Sequence, residues 1–144
     1  MSTGNRYALI ITNNKYDDSA FRPLITPQAD GVGMRSVLTD PAVAAFPAEN
    51  VRVLHDQSNG VIKRAITDFY RGKGLDDFLF VYFSGHGALD PDFQLYFAVK
   101  DTEKDYLTTS GIEARFVDKS MKQSRAKRKV LVLDCCHSGA FVDG

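Results

Sequence analysis

The sequence predicts an α/β fold, namely a three-layer αβα sandwich around a mostly parallel β-sheet. Strand-like apolar runs alternate along the chain with segments whose apolar residues recur at helical spacing. Most of these runs are continuously apolar, as expected for parallel strands that are covered on both faces. At 144 residues the chain has the length of one domain, and no repeat, linker or low-complexity segment divides it. We therefore expect residues 1–144 to form a single unit.

The first strand–helix unit lies at the start of the chain. Residues 7–12 are a continuous apolar run and predict a buried strand. A helix is predicted to begin near Thr26, with Pro27 at its first position, and to end at Asp40-Pro41. The residues of this helix that we expect to face the core are Ala29, Val32, Val37 and Leu38.

The second unit follows directly. Residues 51–54 predict a short strand, and Ser58 has the character of a helix N-cap. Gly72 and Gly74 end the helix that Ser58 begins. Its apolar residues recur at helical spacing, at Val61, Ile62, Ala65, Ile66, Phe69 and Tyr70.

The second half of the chain contains the two most chemically informative strands. Residues 78–83 are the most strand-like run, and residues 130–133 predict the fourth core strand. Between them, residues 93–99 predict a short ribbon, and residues 110–113 have the pattern of a capping box that opens a helix. That helix is predicted to carry Ile112, Phe116, Val117 and Met121 on one side.

Composition excludes several classes of function. Lys and Arg together balance Asp and Glu at 18 each, so the net charge favours neither nucleic acid nor a membrane surface as partner. No apolar run approaches the roughly 20 residues of a membrane span, and the first residues lack the apolar core of a signal peptide. The two cysteines are adjacent, so they cannot close a structural loop, and a reducing cytoplasm is the expected compartment.

Two polar segments follow the third and fourth core strands. Residues 84–87 place His86 between two glycines, and residues 134–139 contain Cys136 among small and polar neighbours. Reactive groups in such folds gather where the carboxyl ends of the strands meet the following loops. The sequence therefore predicts a site built from a thiol and an imidazole.

Strand alternation distinguishes the two cysteines. Asp134 and Cys136 are predicted to lie on one face of the last strand, and Cys135 on the opposite face against the helices. A buried cysteine is commonly an inert small hydrophobe, so Cys136 is the candidate nucleophile. His86 is its candidate acid/base partner, and no third residue is required because a backbone carbonyl can orient the ring. The backbone N–H groups of Gly87 and Cys136 are candidates for an oxyanion hole.

These two segments carry a resemblance to a known family. Residues 82–87 (YFSGHG) and 133–139 (LDCCHSG) resemble the two active-site motifs of caspase-like cysteine peptidases, in the metacaspase and bacterial caspase-like branch. His86 and Cys136 are 50 residues apart, close to the spacing of caspases. The resemblance extends over nearly the whole chain, and it implies a cysteine endopeptidase that needs no cofactor for its dyad.

The resemblance also implies a specificity. In metacaspases, the Asp two residues before the nucleophile and another early in the first helix bind a basic substrate side chain; here these are Asp134 and Asp30. Paired carboxylates attract Arg or Lys and repel acidic residues. The alternative for Asp30 is a first-turn carboxylate that favours the helix dipole.

Other assignments remain open beside this one. The chain could be a catalytically silent caspase-like domain with an interaction or regulatory role, or another cysteine hydrolase or transpeptidase. His137 is more typical of a structural neighbour than of a second base. A zinc site or a disulfide between the adjacent cysteines is disfavoured, because consecutive side chains do not converge on one ion and adjacent cysteines strain the bond.

Some metacaspases require calcium, and the weak candidates for it are Asp101, Asp118 and Asp143. No compact calcium-binding loop is visible. The family's substrate cleft also uses segments beyond the nucleophile, whereas eight residues follow Cys136 here. The resemblance is therefore to the p20-like portion, and we expect a p10-like second chain or C-terminal remainder to complete it.

Overall fold

The strands form one sheet in the computed structural model, which describes residues 4–137, with the backbone alone for Cys136 and His137. Its core consists of β2, β1, β3 and β6, in that order and all parallel. β4 lies antiparallel to the carboxyl end of β3, and β5 antiparallel to β4. The strand bounds are β1 (Arg6–Thr12), β2 (Val51–His55), β3 (Phe78–Leu89), β4 (Leu95–Phe97), β5 (Ile112–Glu113) and β6 (Arg128–His137).

Helices cover both faces of this sheet, which confirms the predicted α/β class. On one face, α1 packs against a cluster that includes Ala8, Ile10 and Tyr82. On the other face, α2 and α4 cover a larger cluster that includes Leu9, Val81 and Val117. The sheet is mixed rather than purely parallel, because β4 and β5 are short antiparallel strands at one end. The helix bounds are α1 (Thr26–Thr39), α2 (Asn59–Tyr70), α3 (Leu107–Ser110) and α4 (Ala114–Gln123).

The inward face of α1 differs from the predicted one. Leu38 is buried as expected, but Val32 is 65% exposed and Val37 50% exposed, and Ala29 is exposed as well. The buried positions are instead Pro27, Gly31 and Leu38. A Cβ added at Gly31 would lie 2.6 Å from the Thr12 methyl carbon. The lack of a side chain at Gly31 thus lets α1 approach β1 closely, and the helix turns its valines outward.

The predicted capping box at residues 110–113 is wrong. Ser110 ends α3, and its hydroxyl donates to the Tyr106 carbonyl (2.7 Å) and accepts from the Glu103 N–H (2.8 Å). Ile112 then belongs to β5, and α4 begins only at Ala114. Ser110 therefore closes the preceding turn. Its hydroxyl is bonded to the backbone there and cannot also cap the next helix.

The motif-bearing strands are longer than predicted. Residues 84–87 lie within β3, and residues 134–137 lie within β6, rather than in loops after these strands. The two segments are thereby held by a continuous parallel ladder. No helix among residues 4–137 is long and apolar enough to cross a membrane.

Candidate active site

The two motif segments are neighbours in the sheet. Ser84 pairs with Asp134, Gly85 with Cys135, and His86 with Cys136 in the register of β3 and β6. Neighbouring strands lie about 4.8 Å apart, so the backbones of His86 and Cys136 are in direct contact. The structure thus brings together the two residues that the sequence predicted as a dyad.

The side chains before Cys136 follow the predicted alternation. The carboxylate of Asp134 accepts a hydrogen bond from the Tyr82 hydroxyl (3.2 Å), and Tyr82 belongs to the cluster under α1. Cys135 packs on the opposite face, against the cluster under α2 and α4. Cys135 is half-buried among apolar residues, as is typical of a cysteine with a structural role. His137, like Cys136, is described by its backbone alone, which pairs with Gly87.

A backbone carbonyl orients the His86 ring. The Nε2 atom of His86 lies 2.8 Å from the carbonyl oxygen of Arg22. A carbonyl oxygen can only accept, so Nε2 carries the proton in this contact. In the neutral ring the basic lone pair is then on Nδ1. The carbonyl therefore sets which nitrogen can take a proton from a thiol.

Two aromatic rings enclose the same histidine, and sequence reasoning missed both. The ring of Tyr16 lies 5.1 Å from that of His86, and the ring of Phe21 lies 5.8 Å from it. The Tyr16 hydroxyl also accepts a hydrogen bond from the His86 backbone N–H (2.9 Å). Both residues lie in the segment between β1 and α1. The only sequence signal of a role at the site is that these two aromatic residues stand among polar ones.

Gly85 makes room for the tyrosine. A Cβ added at this position would lie 2.8 Å from the Tyr16 hydroxyl oxygen and 3.3 Å from the Phe83 ring. Contacts below 3.0 Å require a neighbouring atom to shift. The first glycine of the Ser-Gly-His-Gly segment therefore allows the hydroxyl to reach the backbone of His86.

Asp30 and Asp134 form an acidic surface beside the candidate pair of His86 and Cys136, on the side of α1. Burial raises the pKa of Tyr82, and the charges of Asp134 and Asp30 raise it further. Both carboxylates therefore act on one hydroxyl, although they come from β6 and α1. Both residues are exposed, which leaves them accessible to a cation. The first turn of α1 contains no acidic residue, so the alternative role of Asp30 as a first-turn carboxylate loses its basis.

The two calcium candidates that the structure describes, Asp101 and Asp118, belong to no metal-binding group. Asp101 accepts from the backbone and side-chain amides of Asn59 (2.7 and 2.9 Å), and Asp118 pairs with Lys122 (2.8 Å). Asp143 lies outside the described residues. Within residues 4–137 no group of three or more His, Cys, Asp and Glu side chains is placed to hold a metal ion.

The fold and the site define an α/β protein that presents histidine and cysteine on adjacent strands at one end of a parallel sheet. The sequence model of the caspase domain, a peptidase family, matches residues 5–144. The chain therefore belongs to the caspase domain family of cysteine peptidases.

Structural comparison agrees with this fold. The crystal structure of the protein GSU0716 from Geobacter sulfurreducens, a structural-genomics target, superimposes with a TM-score of 0.73 at 19% sequence identity. The alignment covers 96% of this chain and 53% of that protein, so the chain spans about half of its length. No curated protein matches the chain.

Proposed function

We propose that this chain is the catalytic portion of a cysteine endopeptidase that cleaves after Arg or Lys. Cys136 is the nucleophile and His86 the acid/base in this proposal. The observation that carries it is the position of His86, which pairs with Cys136 in the register while the Arg22 carbonyl holds its Nε2.

The proposed reaction uses the histidine twice. Nδ1 of His86 takes the proton of the Cys136 thiol, and the thiolate sulfur attacks the carbonyl carbon of the scissile bond. The candidate donors to the oxyanion are the backbone N–H groups of Gly87 and Cys136. Both residues lie in the β3–β6 ladder, so these groups have to turn toward the substrate in the active enzyme. The intermediate collapses to a thioester as the imidazolium gives its proton to the leaving amine. Water, deprotonated by the same nitrogen, then hydrolyses the thioester and restores the thiol.

The proposed specificity depends on the acidic surface. A guanidinium or ammonium group beside Asp30 and Asp134 gains two opposite charges, whereas an acidic side chain is repelled. The Tyr82 hydroxyl donates to one oxygen of Asp134 and thereby limits the orientations of that carboxylate. The other carboxylate oxygen of Asp134 can accept a hydrogen bond from a basic substrate side chain.

The burial of His86 adds a condition to this proposal. The side chain is 0% exposed, and Phe21 and the Arg22 carbonyl lie against its ring. A leaving amine must reach the ring to be protonated, so the segment that carries these two residues has to move in the active enzyme. The same burial favours the second candidate function, a catalytically silent regulatory domain.

We also propose that a p10-like chain or C-terminal remainder completes the enzyme. Among the described strands, β6 pairs with β3 alone, and Leu133 on this edge strand is 43% exposed. An apolar edge strand is a template for pairing with further chain. On this basis the 144-residue chain alone is expected to hydrolyse peptides poorly or not at all.

Thiol alkylation tests the dyad without requiring a complete substrate cleft. In a Cys135→Ala background, the rate of Cys136 alkylation by iodoacetamide is measured from pH 4 to 9. A thiolate–imidazolium pair predicts fast alkylation well below the ordinary thiol pKa of about 8.5. His86→Asn should shift the profile toward that ordinary value, whereas His55→Asn should leave it unchanged. An unshifted profile in the Cys135→Ala protein would contradict the dyad.

A peptide panel tests the specificity and the silent alternative. The chain, supplied with the segment that completes it, is assayed on fluorogenic peptides with Arg, Lys or Asp before the scissile bond. We expect cleavage after Arg and Lys that Cys136→Ala abolishes. Asp30→Asn and Asp134→Asn should each reduce it, while Asp68→Asn, an exposed change on α2, should not. A preference for Asp would refute the acidic pocket, and no cleavage of any peptide would favour the silent domain.

A further inference from the structure

A cavity lies away from the proposed dyad, at the end of the sheet where the parallel strands begin. It has a volume of about 510 Å³ and lies between the carboxyl ends of α2 and α4. Among residues 4–137, its wall contains three basic residues and no acidic one. The lining residues used below are Tyr70, Arg71, Lys73, Ser124 and Arg125.

Two buried hydroxyl groups in this wall have unused hydrogen-bonding capacity. Tyr70 is 3% exposed, and within the described part of the chain neither its hydroxyl nor that of Ser124 has a hydrogen-bond partner. Burial raises the pKa of Tyr70, so its hydroxyl keeps its proton and can act as a donor. A buried donor without an acceptor is costly to stability, so such groups indicate a missing partner.

Two of the three positive charges at the cavity are uncompensated within the described part of the chain. Arg71 and Arg125 are exposed and form no ion pair among the described residues. Lys73 lies further in, where its ammonium group donates to the Arg71 carbonyl (3.2 Å) and stacks on the Tyr7 ring (4.7 Å). Asp77 is the nearby carboxylate that acts on Lys73, and its oxygens already accept from the N–H groups of Asn5 and Gly74.

The carboxyl ends of α2 and α4 do not repel an anion at this cavity. The carboxyl end of a helix is normally negative, since its last carbonyl groups lack partners. At α4, however, the ammonium group of Lys129 donates to the carbonyls of Met121 (2.8 Å) and Ser124 (3.2 Å). At α2, Lys73 supplies the same compensation to Arg71.

We propose that this cavity binds a phosphate-type oxyanion, with the two guanidinium groups of Arg71 and Arg125 as charged donors and the Tyr70 and Ser124 hydroxyls as neutral ones. Guanidinium groups bind phosphate oxygens through two parallel hydrogen bonds, and hydroxyl donors fill the remaining acceptor positions. The phosphate group is either inorganic or carried by a small molecule. This site is independent of the proposed peptidase function.

To test this, the purified chain is titrated with inorganic phosphate and with pyrophosphate at constant ionic strength. Calorimetry measures the binding, and the melting temperature is measured with and without each ligand. We expect saturable binding that raises the melting temperature. Arg71→Gln/Arg125→Gln should weaken it at least about tenfold. The matched control is Arg64→Gln/Lys119→Gln, which removes the same charge from α2 and α4 outside the cavity and should bind as the original chain does. Stronger binding of pyrophosphate than of phosphate would identify a site for a larger phosphate compound, and the reverse a site for the inorganic ion.

Tyr70→Phe provides a second test, because it should change stability and phosphate binding in opposite directions. A residue with only a structural role would not show this combination. Without ligand, removal of a buried hydroxyl that lacks a partner should raise the melting temperature. With ligand, the same substitution should weaken binding about two- to tenfold, because the oxyanion loses a donor. The proposal would be overturned if the control pair weakened phosphate binding as much as Arg71→Gln/Arg125→Gln does, or if no saturable binding were seen. Either result would mean an adventitious ion only. A lower melting temperature of unliganded Tyr70→Phe would also overturn it, since the hydroxyl would then have a protein partner.

Discussion

The hydroxyl oxygen of Tyr16 lies 2.9 Å from the backbone nitrogen of His86 and accepts the hydrogen bond of its N–H group. This contact joins the segment after β1 to the last third of β3, across 70 residues of sequence. With the Arg22 carbonyl on Nε2, it holds both the backbone and the ring of the histidine. The orientation of His86 is therefore set from a segment that has no motif of its own.

Tyr16→Phe should reduce catalysis without changing substrate binding. The substitution keeps the ring against His86 but removes the hydroxyl, which accepts from the His86 N–H and donates to the Asn13 carbonyl (3.5 Å). The bond to His86 is worth about 0.5–1.5 kcal/mol, so we expect kcat to fall roughly two- to tenfold with KM unchanged. The measurement is steady-state hydrolysis of an Arg peptide by the completed enzyme. Tyr106→Phe, at an exposed tyrosine, is the control. An unchanged kcat in Tyr16→Phe would show that the hydroxyl does not position the histidine.

Gly85→Ala should destabilise the chain by about 1–3 kcal/mol, as overpacked substitutions do. Its Cβ meets the Tyr16 hydroxyl at 2.8 Å, so Tyr16→Phe in the same chain should recover part of the loss. Gly33→Ala on α1 is the control, because apart from its chain neighbours and the backbone of its own helix no atom lies within 4 Å of its Cβ. That change should stabilise the chain by about 0.5–1 kcal/mol. Urea denaturation is measured on the original chain, Gly85→Ala, Tyr16→Phe, their double variant and Gly33→Ala. Strictly additive effects of Gly85→Ala and Tyr16→Phe would contradict the proposed contact.

Cys135→Ala and Cys136→Ala should have opposite consequences. Cys135 packs against the cluster under α2 and α4, so its truncation should cost less than about 2 kcal/mol of stability and leave peptide hydrolysis in place. Cys136→Ala should abolish hydrolysis. Activity assays and denaturation curves of the two variants are sufficient. Loss of activity in Cys135→Ala at unchanged stability would reverse the assignment of the nucleophile.

Asp77→Asn should reveal an acid-dependent contribution to stability. The hydrogen bonds from the Asn5 and Gly74 N–H groups lower the pKa of Asp77 in the folded chain. A carboxyl whose pKa is lowered by folding stabilises the chain above its unfolded pKa, and this contribution disappears as the pH falls through the folded pKa. We expect the variant to be about 1–3 kcal/mol less stable at neutral pH, with the difference vanishing in acid.

The control for this experiment is Asp76→Asn, at the neighbouring exposed aspartate. Its stability should follow that of the original chain from neutral pH into acid. A difference between Asp77→Asn and the original chain that persists unchanged at the lowest pH would show that the charge of Asp77 is not responsible.

Sequence patterns predicted those features that depend on local periodicity. Continuous apolar runs located the four core strands, and the Ser58 cap was correct, since its hydroxyl accepts from Val61. The two-residue period of a strand also separated Asp134 from Cys135. The pattern failed at α1, where Gly31 rather than the valines faces the sheet, because helix orientation follows the closest packing available and not apolar content alone.

By itself, the sequence determined the α/β class, the caspase-like motifs and the candidate pair of His86 and Cys136, since each of these rests on short local patterns of residues. Only the tertiary structure decided what surrounds that pair. Tyr16, Phe21 and Arg22 reach His86 because β1 and β3 are adjacent and parallel, which carries the segment after β1 over the carboxyl end of β3. Contacts between distant segments depend on strand order and chain path, and no local period encodes them.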